Sequence, residues 1–118
     1  MLFFHGTAVR HAYGLSAGAD LSAPAAAADK IDGAPGFFLA VEESDAEFFA
    51  ARRDPGAVIV VEIEEDALSA LKSAGAERRR IPVTGRSPYF AGDELWIPPD
   101  AFGTFNELRV KGRIRVHT

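Results

Sequence analysis

Apolar residues along this chain come in short runs cut apart by turn-forming residues, and the runs differ in kind. Leu2-Phe3-Phe4 reads as a short buried strand that breaks at once into His5-Gly6-Thr7, where Gly6 lets the backbone turn sharply or lie against a ligand. Ala8 to Leu21 reads as a short helix interrupted by Gly14 and Gly18, and Ala23 to Ala28 as an alanine-rich stretch holding Pro24, suited to helix or to small-residue loop. The cluster Asp32-Gly33-Ala34-Pro35-Gly36 is a dense turn signal. Phe37 to Val41 then forms a continuous apolar run of strand length.

Ser44-Asp45-Ala46-Glu47 has the spacing of a capping box, predicting a helix that runs to about Arg53 and stops at Asp54-Pro55-Gly56. Ala57 to Ile63 is the strongest strand signal, β-branched and apolar on both faces until Glu62, which suits the interior of a sheet. Glu65-Asp66 open another helix, with Leu68 and Leu71 on one face and Gly75 at its end. From there the pattern reads as strands at Arg80 to Thr84, Glu94 to Ile97, Phe105 to Val110 and Arg113 to Val116, with turns at Gly85, Pro88, Gly92, Pro98-Pro99, Gly103 and Gly112. Small helices near the front and strands behind predict an α+β domain rather than alternating βαβ units.

Composition narrows the functional classes. The chain has 118 residues, 47% of them hydrophobic, which predicts one domain spanning residues 1–118 with a single core. There is no Cys, so disulfides and thiolate metal sites are excluded. His5, His11 and His117 lack metal-ligand spacing, and no metal is expected. No stretch reaches the roughly 18 apolar residues of a membrane span, and the first residues lack a basic region followed by a long apolar one. A soluble, unprocessed, cytoplasmic protein is therefore expected. The formal charge of -4 argues against extended nucleic-acid binding, which draws on a basic face. Arg78-Arg79-Arg80 reads as a solvated charge run at a helix end.

Three constellations carry candidate chemistry: His5-Gly6-Thr7, the pair Phe37-Phe38 followed by Phe49, and Gly92-Asp93-Glu94-Leu95-Trp96-Ile97-Pro98-Pro99. In their order and spacing they resemble the ADP-ribosyltransferase superfamily, in its histidine-type branch of diphtheria-like toxins and poly(ADP-ribose) polymerases, over almost the whole chain. Phe4-His5-Gly6-Thr7 is similar to the strand ending in His-Gly-Ser or His-Gly-Thr that opens that branch. Gly36-Phe37-Phe38-Leu39-Ala40 looks like its Gly-x-Tyr-Phe-Ala strand, with Phe38 in place of the tyrosine, and Phe49 falls at the aromatic of the helix that follows. The third motif, a glutamate opening a late strand, has two candidates. Glu94 begins Glu-Leu-Trp-Ile-Pro-Pro, like the strand of many mono-ADP-ribosyltransferases, and Glu107 sits in Phe105-Asn106-Glu107-Leu108, like the Tyr-Asn-Glu-Tyr of the polymerases. Glu94 is preferred because it leaves two closing strands behind it.

The resemblance implies a mixed two-sheet core with small flanking helices, NAD as co-substrate in a cleft between the sheets, and transfer of ADP-ribose to a macromolecular or small-molecule acceptor. A toxin paired with an antitoxin or immunity protein is one form this takes. His5 would hydrogen-bond a ribose hydroxyl, Gly6 would offer its N–H and C=O to the nicotinamide carboxamide with Thr7 as a further partner, and Phe38 and Phe49 would sandwich the ring. The carboxylate at Glu94, or else Glu107, would hold the ribose 2'-hydroxyl and stabilise the cation that develops as nicotinamide leaves. Two alternatives stand beside this reading. One is an RNA 2'-phosphotransferase-like enzyme, for which the series Arg109-Lys111-Arg113-Arg115 on one strand would supply a cationic face. The other is a nucleotide- or protein-binding module of the same fold without turnover.

Overall fold

The computed structural model describes residues 1–22, 35–81 and 92–117. Among these residues there are six strands and four helices: β1 (Leu2–Ala8), α1 (Val9–Ser16), β2 (Phe37–Ala40), α2 (Glu43–Ala50), β3 (Gly56–Ile63), α3 (Glu65–Ser73), β4 (Glu77–Arg80), β5 (Asp93–Ile97), α4 (Phe102–Val110) and β6 (Ile114–His117). A short 3-10 turn, Pro99–Ala101, leads into α4. The α+β expectation holds. All the strand pairings are antiparallel, in the order β4-β5-β2-β1-β3-β6.

Pairing is uneven across the sheet. β1 and β3 run together without a break from Leu2↔Glu62 to Ala8↔Gly56, and β2 pairs β5 from Phe37↔Ile97 to Ala40↔Glu94. Between these two lobes, β1 and β2 share a single register pair, Phe4↔Ala40. The resemblance implies two sheets; the described strands form one, joined across its middle at that pair and parted beyond it.

Because residues opposite one another share a face and neighbours along a strand alternate, the registers sort the side chains. Phe3, His5, Thr7, Phe37, Leu39, Leu95, Ile97, Ile59, Val61, Ile63 and Ile114 point to one face. Leu2, Phe4, Phe38, Ala40, Glu94, Trp96 and Arg79 point to the other. On the first face the main core gathers Ala12 of α1, Ala67 and Leu71 of α3 and Phe102 and Phe105 of α4 over the strands. On the second, α2 sits on β1 and β3, packing Ala46 and partly buried Phe49 with Phe4, Ala40, Val58 and Ile81.

Several local expectations are corrected. The first strand does not break at His5-Gly6-Thr7 but continues to Ala8, since β3 offers it a partner at every position. The capping box is not formed: α2 begins at Glu43, puts Ser44 inside its first turn and has no side-chain cap, while Asp45 turns its carboxylate to the Gly92 N–H at 3.0 Å. Phe105 to Val110 is not a strand but part of α4. Phe102 and Phe105 lie three residues apart on one buried helical face, a spacing that suits a helix and not a two-residue alternation. The basic series is thereby split, Arg109 falling on α4 while Arg115 lies on β6. Arg78 to Arg80 lie on edge strand β4 and not at a helix end. The stretch Ala23 to Ala28, residues Asp32-Gly33-Ala34 of the turn cluster, and Pro82-Val83-Thr84 with Gly85 and Pro88 fall outside the described residues. No helix among the described residues is long and apolar enough to cross a membrane.

Candidate functional site

Past Phe4↔Ala40, continued pairing would set His5 against Leu39, Gly6 against Phe38 and Thr7 against Phe37; the strands part there instead. Beside this place, on the main-core face, a cavity of about 190 Å³ is lined by α1, by residues 19–22 after it and, on the sheet side, by His5, Thr7, Gly36 and Phe37. Arg10, His11, Asp20 and Ser22 add to the polar part of its wall. The stretch after α1 is fastened from a distance. The Asn106 side chain accepts from Leu21 N at 2.9 Å and donates to Leu21 O at 3.1 Å, and the Arg109 guanidinium donates to the carbonyls of Leu15 and Ala19. Burial lowers the pKa of Arg109, with Asp20 acting in the opposite sense. Asn106, which the sequence pattern placed in a closing strand, is thus a clamp on the cavity wall.

His5 spans the parting. Its Nδ1 lies 2.7 Å from Phe38 O, and since a carbonyl only accepts, Nδ1 carries the proton and donates. The ring also packs against Phe37, centroid to centroid 4.4 Å at a tilt of 45°. Thr7 is 1% exposed, and its Oγ1 is a buried hydroxyl with no hydrogen-bond partner among the described residues. Leaving such a group unpaired costs about 1–3 kcal/mol. A folded chain carries that cost most readily where a ligand atom relieves it.

The other expected site residues lie elsewhere. Gly6 is needed for helix packing: a Cβ there would stand 1.9 Å from Ala46 O and 2.8 Å from Ala50 N of α2. Its lack of a side chain therefore seats α2, and only its backbone is left to meet a ligand. Phe38 is buried on the α2 side of the sheet, where its ring is met by the Arg79 guanidinium at 5.4 Å. Phe49 meets Phe48 edge-on at 5.7 Å, so the two rings expected to sandwich a ligand are each engaged by another side chain.

Glu94 lies at the β5 position opposite Ala40, in line with the one pair that joins the lobes. Two inter-strand spacings separate it from β1, roughly 10 Å. It is 1% exposed, and its Oε2 accepts from Arg79 Nε at 2.9 Å. A buried carboxylate persists only when paired, and Arg79, on the facing position of β4, supplies the charge. Its guanidinium is held between the rings of Phe38 at 5.4 Å and Trp96 at 5.1 Å. Glu107 joins neither group; it is exposed on α4, while Phe105 beside it is core.

His5 and Thr7 are thus brought together with Phe37, and Glu94 with Phe38 and Arg79, on opposite faces of the sheet. A ligand that meets both sets has to lie in the parting itself. Sequence reasoning named Phe37 with Phe38 but gave the ligand role to Phe38, and it missed Arg10, Asp20 and Arg79 as site residues. The alternation rule applied to Phe37-Phe38 would have assigned the two rings to different faces, but nothing local distinguishes Arg79 from Arg78, which meets Asp93 at 3.4 Å on the exposed side. Among the described residues no group of three metal-ligating side chains is found. Comparison of the chain with protein-family models, with curated proteins and with solved structures finds no match.

Proposed function

We propose that the chain is an NAD-dependent mono-ADP-ribosyltransferase domain that takes the nicotinamide-ribose end of NAD into the parting between β1 and β2. The observation that carries the reading is the parting itself. It falls at His5-Gly6-Thr7, faces the Phe37-Phe38 stretch and lies beside a cavity lined in part by His5, Thr7 and Phe37, so the first two sequence motifs meet although 33 residues separate His5 from Phe38.

The residues present fit the group. Thr7 holds an unpaired buried hydroxyl, the β1 edge beyond Phe4 has no register partner on β2, and Phe37 gives an aromatic wall. In the proposed complex the Gly6 backbone and Thr7 hold the carboxamide, and His5 is the nearest imidazole to the ribose. The reaction class supplied by NAD is displacement at the ribose C1': the bond to nicotinamide breaks with its electron pair going to the ring nitrogen, and an acceptor nucleophile bonds C1' and gives up its proton. Glu94 is the carboxylate for this step. Its charge, maintained by Arg79, stabilises the positive charge that grows on the ribose, an effect larger in the transition state than in the bound substrate.

Binding of NAD without turnover is the second reading, and one observation favours it: Glu94 is tied to Arg79 on the face away from His5. The phosphotransferase-like alternative loses its cationic strand, because Arg109 lies on α4 and Arg115 pairs with Glu62 at 2.8 Å. The deciding experiment measures NAD binding by calorimetry and nicotinamide release by chromatography for wild type, Glu94→Gln and Glu107→Gln. Binding by all three, with release reduced about 100- to 1000-fold in Glu94→Gln alone, is the expected pattern. Binding by all three with no release by any establishes the non-catalytic module, and absence of binding overturns both readings. The acceptor, and any antitoxin or immunity partner, would be sought with NAD carrying a label on its ADP-ribose portion.

A further inference from the structure

Arg79 is placed with more care than a charge partner requires. It faces Glu94 across the β4–β5 ladder, and its Nε, not the end of the guanidinium, donates to Oε2 at 2.9 Å. The centres of the Phe38 ring on β2 and the Trp96 ring on β5 lie 5.4 and 5.1 Å from the guanidinium carbon, so two aromatic faces attract the cation. At the same time Nη2 is shut away from solvent with no hydrogen-bond partner among the described residues. Arginine–carboxylate pairs frequently form a two-bond fork, and this one does not. Here orientation is kept while a buried donor goes unpaired.

We infer that Arg79 is the positioning residue for Glu94, fixing the carboxylate's charge and direction through the Nε contact while the Phe38 and Trp96 rings hold the guanidinium plane. The inference rests on the NAD-cleaving reading above and adds to it a residue that touches Glu94 rather than substrate. Lysine cannot take this place: it keeps the positive charge but is a point ammonium on a flexible stem, with neither a plane to be held by two rings nor a side-on donor.

The test uses the full chain and four proteins: wild type, Arg79→Lys, Glu94→Gln and the double variant, each followed by thermal melting and by steady-state release of nicotinamide. Arg79→Lys should melt close to wild type, keep its KM for NAD and lose about tenfold or more in kcat, the mark of an interaction made in the transition state. In the Glu94→Gln background the same change should cost nothing further, because residues that act as one unit are not additive. If Arg79→Lys does not fold, Arg79→Gln, which keeps a neutral donor, carries the same comparison. A kcat equal to wild type, a rise in KM with kcat unchanged, or an undiminished loss in the Glu94→Gln background would each overturn the positioning role while leaving the NAD reading in place. No release of nicotinamide by wild type overturns that reading and the positioning role with it.

Discussion

Replacing Gly6 by alanine separates the two uses of this glycine, as a backbone surface for a ligand and as the seat of a helix. The added methyl carbon would stand 1.9 Å from the carbonyl oxygen of Ala46 and 2.8 Å from the amide nitrogen of Ala50. Carbon and oxygen rarely approach within about 3.3 Å, so α2 would have to retreat by roughly 1.4 Å. The obstacle is helix backbone, which no rotamer change can clear. Nor is α2 free to slide, since a Cβ at Gly56 would lie 1.8 Å from Ala50 O, which shows that the helix is seated on β3 as closely as on β1. Overpacking of this sort costs about 1–3 kcal/mol, and the rigid obstacle puts Gly6→Ala at the upper end. The reduced freedom of the unfolded chain returns about 0.4–1 kcal/mol of this at most. A net loss near 2–3 kcal/mol corresponds to a fall in Tm of roughly 10 °C for a domain of this size. The assay is thermal unfolding followed by circular dichroism, with urea unfolding to check that the m-value is unchanged. Gly103→Ala is the control: nothing lies within 4 Å of its Cβ position, and on exposed α4 the change should stabilise by up to about 1 kcal/mol. A Gly6→Ala protein melting within about 2 °C of wild type would refute the close seat of α2 on β1.

Thr7→Val removes the unpaired hydroxyl while nearly keeping the shape; stability should hold or rise, whereas NAD affinity should fall about tenfold for the lost hydrogen bond. A less stable variant with unchanged affinity would mean that Oγ1 is satisfied inside the fold. Phe105→Ala should cost about 3–5 kcal/mol in urea unfolding, since the ring is 1% exposed and meets Phe37 edge-on at 5.7 Å; a loss under about 1 kcal/mol would contradict the helical core position. At the half-buried Glu62, the hydrogen bond and the charge of Arg115 lower the carboxyl pKa below its ordinary value. Its contribution to stability is therefore present above the ordinary carboxylate pKa and lost as pH falls through the lowered one. Arg115→Met should raise the Glu62 pKa in a carboxyl NMR titration, and an unmoved pKa would refute the assignment.

What the chain determines by itself is what short-range patterning can encode. The β-branched run at Ala57 to Ile63 and the apolar run at Phe37 to Ala40 become β3 and β2 because each is long and apolar enough to need burial on both faces. The acidic start at Glu65-Asp66 and Gly75, at φ 116°, bracket α3 as the sequence signals require. At Phe105 to Val110 the strand reading is wrong, and the segment is part of α4. A run holding Phe, Leu and Val suits a strand, and only its packing against the sheet shows that the spacing of Phe102 and Phe105 decides for a helix.

The candidate site depended still more on long-range contacts. Motif order brought His5, Phe38 and Glu94 into view, but which face each side chain takes follows from strand register, and register is settled by which strands pair. Likewise Gly6 looks like a ligand glycine until α2 is laid against it, and Arg79 looks like any member of a basic run until Glu94, Phe38 and Trp96 surround it. Local patterning located β1, β2, β3, β5 and α3, because periodicity and turn chemistry act over a few residues, but not the bounds of β4 or the helical state of α4. The parting between β1 and β2, the cavity beside it and the buried ion pair belong to tertiary structure alone, because each is a relation between segments tens of residues apart that no local pattern records.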